Sequence, residues 1–197
     1  MIQSRARTFF RTLVLLSVAS CGGAEDPVTI VDVTPTPRTI GVTPNQTTMT
    51  FVGQTASLRA LILDQNGTTF AGAPTWTTGD PAVFTVNGSG VVTAVANGSA
   101  TVTATFQALS ATAEVTVAQV ATVVTIVSGS DQTAIVRETL PTPVVVRVTD
   151  QGGAPVPGET VTFTPGGQSG TVSASSAVAD ANGEASTVWT LGEVFGG

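Results

Sequence analysis

Apolar and polar side chains alternate along much of the chain beyond residue 27. Residues 56–62, 100–104 and 111–117 each carry an apolar residue at every second position, with mostly Ser, Thr or charged residues between. A period of two with one apolar face is what a half-buried β-strand requires. Short strands of this kind, separated by turn residues, are typical of a β-sandwich. The pattern therefore predicts an all-β fold.

Asn-Gly pairs mark several of the expected turns. They occur at 66–67, 87–88 and 97–98, each beside an apolar run. Because Asn-Gly readily adopts the positive φ angles of a two-residue hairpin loop, we expect tight hairpins of that type at these three places.

The composition excludes several kinds of chemistry. Lys, His and Tyr are absent and Cys occurs once, so an intrachain disulfide, a His/Cys zinc site and His- or Lys-based catalysis are ruled out. After residue 20, four arginines stand against thirteen acidic residues, which gives a net charge of −9. Such a chain repels phosphate, so nucleic-acid binding is excluded. We expect no cofactor, no metal, no catalytic residue and no enzyme activity.

Residues 1–20 have the layout of a secretory signal peptide. Three arginines, Arg5, Arg7 and Arg11, precede an apolar run at 13–19. That run is far shorter than the roughly 20 residues that span a bilayer, so it predicts a cleaved targeting segment and not a transmembrane helix.

The residues at the end of this segment are Val18, Ala19, Ser20 and Cys21. They resemble a bacterial lipobox, in which an aliphatic residue and two small residues precede a cysteine. The resemblance implies that Cys21 is acylated and begins the mature protein, with residues 21–27 as a lipidated tether. An ordinary signal peptide with an incidental Cys is the alternative. A lipidated Cys21 would anchor the chain to a membrane, and we expect it in the cell envelope, at the outer membrane or cell surface.

Four motifs follow one another within residues 28–117: GQT at 53–55, WTTGDP at 76–81, FTVNGSGVV at 84–92 and GSATV at 98–102. In order and spacing they resemble the bacterial Ig-like domain of group 2, which implies a β-sandwich. The resemblance places Trp76 between the sheets, and we expect Phe84, Val86, Val92 and Val102 in the same core. An exposed Trp76 that stacks on sugar rings is the alternative.

Residues 118–197 carry VRVTDQGGAPVPGETVTF at 146–163 and DANGEASTVW at 180–189. These motifs resemble the group 1 bacterial Ig-like domains of the invasin/intimin type. We expect Val146, Val148, Phe163 and Trp189 in a second core. Since a further turn and a closing strand normally follow in that family, we expect this second β-sandwich to lack its last strand, as the product of a gene fragment.

The residues at 180–183 leave two interpretations open. Asp180, Asn182 and Gly183 are spaced like the start of a calcium-binding loop, but the closing Glu of such a loop is missing. A tight turn is therefore preferred, with a calcium site as the alternative.

The two resemblances imply a non-catalytic surface protein. We expect an adhesion or binding module, or a spacer stalk, held to the membrane by its lipid, with a protein or a glycan as ligand. A carbohydrate-binding accessory module, or the N-terminal stalk of a larger surface enzyme, is the alternative.

Overall fold

The computed structural model describes residues 34–166 and 170–193. Every secondary-structure element in these ranges is a β-strand, which confirms the all-β prediction. In chain order the strands are β1 (Pro37–Thr43), β2 (Gln46–Met49), β3 (Thr55–Ser57), β4 (Arg59–Asp64), β5 (Thr75–Thr78), β6 (Phe84–Val86), β7 (Val91–Ala94), β8 (Gly98–Phe106), β9 (Leu109–Val117), β10 (Val123–Ser128), β11 (Val144–Thr149), β12 (Thr160–Thr162), β13 (Gly170–Val172), β14 (Ser176–Val178), β15 (Glu184–Thr187) and β16 (Trp189–Leu191).

Strands β1 to β9 form a first sandwich of two layers. One layer has the order β2-β9-β8-β5, and the other contains the pair β1-β4 and the three-stranded sheet β3-β7-β6. Strands β3 and β4 are separated only by Leu58, which is buried, so they act as one strand that pairs at its two ends with different neighbours. Strand β2 runs parallel to β9, while the other pairs in this sandwich are antiparallel. This parallel pair joins the start of the sandwich to its end.

The alternation in the sequence explains which side chains meet between the layers. Val102 pairs with Ala113 and Ala104 with Ala111 across the β8-β9 hairpin, on the face that points inward. Apolar side chains from both layers then share one contiguous cluster, whose largest fully buried members are Phe84, Met49, Leu58, Val92, Val102, Val115 and Val117.

Strands β10 to β16 form a second, smaller set of sheets. The order β10-β11-β15 makes a three-stranded sheet, and β12-β14 and β13-β16 are two-stranded. Buried apolar residues in this part of the chain are Leu140, Val146, Val148, Val156, Ala179 and Ala185.

Four turns share one construction, and it differs from the predicted Asn-Gly hairpins. The first residue accepts hydrogen bonds on its side-chain Oδ1 from the backbone N–H groups two and four positions later, and the fourth residue is a Gly with φ between 73° and 82°. This is the side-chain-stabilised turn that Asp and Asn favour, completed by one left-handed glycine. The four begin at Asp64, Asn87, Asp150 and Asp180, with glycines at Gly67, Gly90, Gly153 and Gly183.

The predicted turn type was therefore wrong, although turns do occur at two of the three predicted positions, 66–67 and 87–88. A two-residue Asn-Gly loop needs positive φ at both residues. Neither Asn66 nor Asn87 has it, and Asn97 uses its Oδ1 to accept a hydrogen bond from the Gln119 N–H at 2.7 Å. The Asp or Asn that starts each turn, together with the glycine three positions later, sets the loop.

Candidate functional site at the junction of the sandwiches

The predicted lipid-attachment site lies outside the described residues. This applies to Cys21 and to the lipobox residues Val18, Ala19 and Ser20. Within the described ranges, no helix is long and apolar enough to cross a membrane.

The residues expected in the first core occupy two levels of burial. Phe84, Val92 and Val102 are fully buried. Trp76 and Val86 are half-buried and pack against the buried cluster from its edge. Trp76 sits opposite Ala104 in the adjacent strand, on the inward face of the sheet, and its ring lies directly over Gly90.

The residues expected in the second core also differ from one another. Val146 and Val148 are buried in β11. Phe163 and Trp189 are only half-buried and are not among the buried core residues, which corrects the expectation that all four belong to one core. The side-chain alternation in the sequence continues to Trp189, but β15 ends at Thr187 and β16 begins at Trp189. The burial of every second side chain in β15 therefore does not continue into β16.

The turn at Asp180 gives the calcium alternative no support. Its Oδ1 accepts the N–H groups of Asn182 and Glu184 at 2.8 and 2.9 Å, so this oxygen stabilises the turn itself. In the described part of the chain, no three His, Cys, Asp or Glu side chains lie close enough together to hold a metal ion.

Two open grooves lie on the surface that the described residues form. One, of about 400 Å³, crosses β8 and β9 beside Asn45 and Glu114. The other, of about 500 Å³, lies beside Trp76 and is bordered by Arg59, Ser57 and Ser89. Both are surface depressions and neither encloses a ligand-sized cavity.

A hydrogen-bonded polar cluster lies at the junction between the sandwiches. The connecting segment, residues 118–122, is hydrogen-bonded to both sides. The N–H of Ala118 donates to Met49 C=O, that of Val120 to Thr50 C=O, and that of Thr122 to Thr149 C=O, each at 2.9 Å. The segment is therefore held along its length.

Asp150 is the centre of this junction. Its side chain begins the turn after β11, and the residue is only 1% exposed. Oδ1 accepts the N–H groups of Gly152 and Ala154, both at 2.9 Å, as in the other three turns. Oδ2 accepts the N–H of Val52 in the first sandwich at 3.0 Å and the Nε2 of Gln119 in the connecting segment at 2.8 Å. One carboxylate thus joins three separate parts of the chain.

The electrostatics of Asp150 favour its ionised form. Burial raises the pKa of Asp150, but the hydrogen bonds from Gln119, Val52, Ala154 and Gly152 act in the opposite direction, and the net pKa lies below its ordinary value. The carboxylate is therefore charged at neutral pH, and in the described part of the chain hydrogen-bond donors compensate its charge.

The backbone of the first sandwich also approaches this turn closely. A Cβ atom added to Gly152 would lie 2.9 Å from the C=O oxygen of Val52 and 3.0 Å from the ring of Phe51. In the other three turns the equivalent position holds Asn66, Ser89 and Asn182, so the turn itself accepts a side chain there. The first sandwich, and not the turn, requires glycine at 152.

Sequence reasoning identified Asp150 only as a motif residue and did not identify Gln119 or Val52. Gln119 bridges the junction because its Nε2 also donates to Pro155 C=O at 3.2 Å. The one available signal was the position of Gln119, two residues after the last strand of the first sandwich.

Two facing layers of strands, closed by a parallel pair between β2 and the final strand of the first sandwich, define an immunoglobulin-like β-sandwich protein. Residues 27–117 match the model of the bacterial Ig-like domain (group 2), which confirms the resemblance found for this segment. No curated protein matches the chain.

Several solved structures are similar to the chain. Domains 4 and 5 of the S-layer protein SbsC share 27% identity over 43% of this chain and 54% of that one, with a TM-score of 0.40; the chain thus spans about half of that structure. Domains 5–6 of SbsC share 19% identity over 83% and 88%, with a TM-score of 0.40. The D0-D1 domain of intimin shares 21% identity over 79% and 85%, with a TM-score of 0.29. At these TM-scores the likenesses add nothing to the assignment of function.

Proposed function

We propose that the chain is a lipid-anchored, non-catalytic protein of the cell surface, whose two sandwiches form a semi-rigid stalk that holds a binding surface away from the membrane. The hydrogen-bonded junction around Asp150 carries this proposal. A flexible linker would let the two sandwiches rotate freely, since domains joined in one chain move relative to each other unless their interface restrains them.

The contacts at the junction restrain it in three independent ways. The connecting segment is hydrogen-bonded to both sandwiches, the Asp150 carboxylate receives donors from both sandwiches and the segment, and Gly152 allows close backbone contact. A stalk needs this property because a bend at each junction would bring its tip back towards the membrane.

The signal-peptide layout, the lipobox at Cys21 and the match to a bacterial Ig-like family support the surface location. The absence of His and Lys, and surface grooves that are open and shallow, support a non-catalytic role.

The stalk is tested by measuring the distance between two spin labels, one on each sandwich. Thr77→Cys and Ser186→Cys place labels on exposed positions, in a chain with Cys21→Ser so that no other thiol reacts. We expect a single narrow distance distribution. Gly152→Asn should broaden it, because the new side chain meets Val52 and Phe51.

Ser89→Asn is the matched control. It introduces the same side chain at the same turn position, away from the junction, and should leave the distribution narrow. A broad distribution in the parent chain, or equal broadening by both substitutions, would refute the stalk.

The anchor is tested separately in cells fed an alkyne-labelled fatty acid. The parent chain should incorporate the label and fractionate with membranes, and Cys21→Ser should lose both properties. Gly22→Ser, one residue away, should retain them. If the Cys21→Ser chain stayed labelled and membrane-bound, the lipid-anchor proposal would be wrong.

The groove beside Trp76 favours a carbohydrate-binding accessory module as a second candidate. A half-buried indole bordered by Arg59, Ser57 and Ser89 offers an apolar surface with hydrogen-bonding groups around it. A glycan array probed with the parent chain should then show binding that Arg59→Ala weakens and that Arg38→Ala, another exposed arginine, does not. No glycan binding, or equal loss in both variants, would exclude this candidate.

A further inference from the structure

Strand β10 is an edge strand with one side unused. It pairs antiparallel with β11, with Val124 opposite Val148 and Ile126 opposite Val146. Among the residues that the structure describes, no strand pairs with its other edge. The N–H and C=O groups on that edge are therefore available to a further strand.

The side chains of β10 are exposed on both faces of the sheet. Val124 and Ile126 are 60% and 62% exposed, although their partners Val148 and Val146 on β11 are buried. On the opposite face Val123 is also exposed, as is Val127 at the register shift before Ser128. The apolar face of this sheet thus continues onto β10, where its side chains remain mostly exposed.

Natural edge strands are usually blocked by a charged residue, a proline or a bulge. Residues 119–130 contain no charged residue and no proline. The pairing of β10 with β11 is regular from Val123 to Ile126 and shifts only before Ser128. β-branched side chains on a neutral edge of this kind favour pairing with another strand.

We propose that β10 is a self-association surface, on which the β10 strand of a second copy of this chain pairs antiparallel across a twofold axis. The two three-stranded sheets would then form one continuous sheet of six strands, and the contact would be isologous and closed.

The lack of charge on β10, despite the net negative charge of the chain, favours a second copy as the occupant. The full sequence carries a net charge of −6, so two copies repel each other over most of their surfaces. An antiparallel β10-β10 contact places only Val, Thr, Ile and Ser opposite one another, so no like charges meet across it. The strand that this edge requires is neutral and β-branched, and the chain itself supplies one.

The contact is small, so the association should be weak and depend on concentration. A six-residue edge covers far less than the roughly 1,200 Å² buried in the smallest stable interfaces. We therefore expect a reversible monomer–dimer equilibrium, separate from the contacts that stiffen the junction.

Sedimentation velocity of the secreted chain with Cys21→Ser, over a concentration series, tests the proposal without a lipid that could drive association. The parent should shift from monomer to dimer as its concentration rises. Val124→Lys and Val123→Lys, on opposite faces of β10, should each raise the dimer dissociation constant by about tenfold or more.

Val178→Lys is the matched control, because Val178 is 64% exposed and lies on a strand of a different sheet. It should leave the dissociation constant unchanged, and circular dichroism should show that all variants remain folded. The proposal is overturned if the parent stays monomeric, if it forms open-ended oligomers, or if the control weakens association as much as the β10 variants. Persistence of the dimer in both β10 variants would place the contact elsewhere and also overturn it.

Discussion

Replacing Asp150 by Ala tests whether the junction stabilises the fold as its geometry indicates. The substitution removes an acceptor of four hydrogen bonds: two from its own turn at 2.9 Å, one from Val52 at 3.0 Å and one from Gln119 at 2.8 Å. A hydrogen bond to a charged group contributes about 1.5–3 kcal/mol, and a buried donor left without a partner costs about 1–3 kcal/mol.

These contributions do not simply add, because water can reach part of the opened junction and because the four donors share one carboxylate. We therefore expect Asp150→Ala to lower the free energy of unfolding by about 3–4 kcal/mol, which is well above the usual effect of one substitution. Urea denaturation monitored by circular dichroism and by the fluorescence of the two tryptophans measures this loss, and the spin-label distances should broaden in the same variant.

Asp180→Ala is the control for the turn. Asp180 accepts the same two backbone N–H groups of its own turn, but it has no contact with the first sandwich. Its removal should destabilise the chain clearly less than the removal of Asp150. Equal losses would show that the turn alone explains Asp150, and a loss below about 1 kcal/mol for Asp150→Ala would refute the stabilising junction.

Three further predictions follow from individual positions. Because the pKa of Asp150 is lowered in the folded chain, its contribution to stability is complete at neutral pH and is lost as the pH falls below about 4. The free energy of unfolding in urea should therefore decrease less between pH 7 and pH 3 for Asp150→Asn than for the parent. Gln107 has a φ of 54° in the β8-β9 loop, so Gln107→Gly should raise the free energy of unfolding by about 1 kcal/mol, whereas Ala108→Gly should not raise it. Phe84 is fully buried, so Phe84→Ala should cost about 3–5 kcal/mol in thermal or urea unfolding, against less than about 1 kcal/mol for the exposed Leu61→Ala.

The alternation of side chains predicted burial well where a second layer of strands covers the apolar face. In the first sandwich, Val102 and Val115 follow the pattern and are fully buried. In β10 burial does not follow from the shared face, because Val124 and Ile126 lie opposite the buried Val148 and Val146 and yet remain exposed. Period two specifies which side chains share a face, but it does not specify whether another sheet covers that face.

The parallel pairing of β2 with β9 could not be read from the sequence either. Two parallel strands must be joined by a long crossover connection. Here strands β3 to β8 form the connection between β2 and β9. Such a pairing depends on the closure of two layers and leaves no local signature in either strand.

Comparison of the four turns shows which residues any such turn needs and which residue only the junction needs. Each turn needs an Asp or Asn at its first position and a glycine at its fourth, because the side chain must accept two N–H groups and the fourth residue has a positive φ. Only the turn at 150–153 also has glycine at its third position, where no positive φ demands it. A residue type that the local conformation does not require indicates a contact from outside the turn, and here that contact is the backbone at Val52. A glycine at the third position should therefore mark the turns that face a neighbouring domain, and an Asn or Ser at this position should mark those that do not.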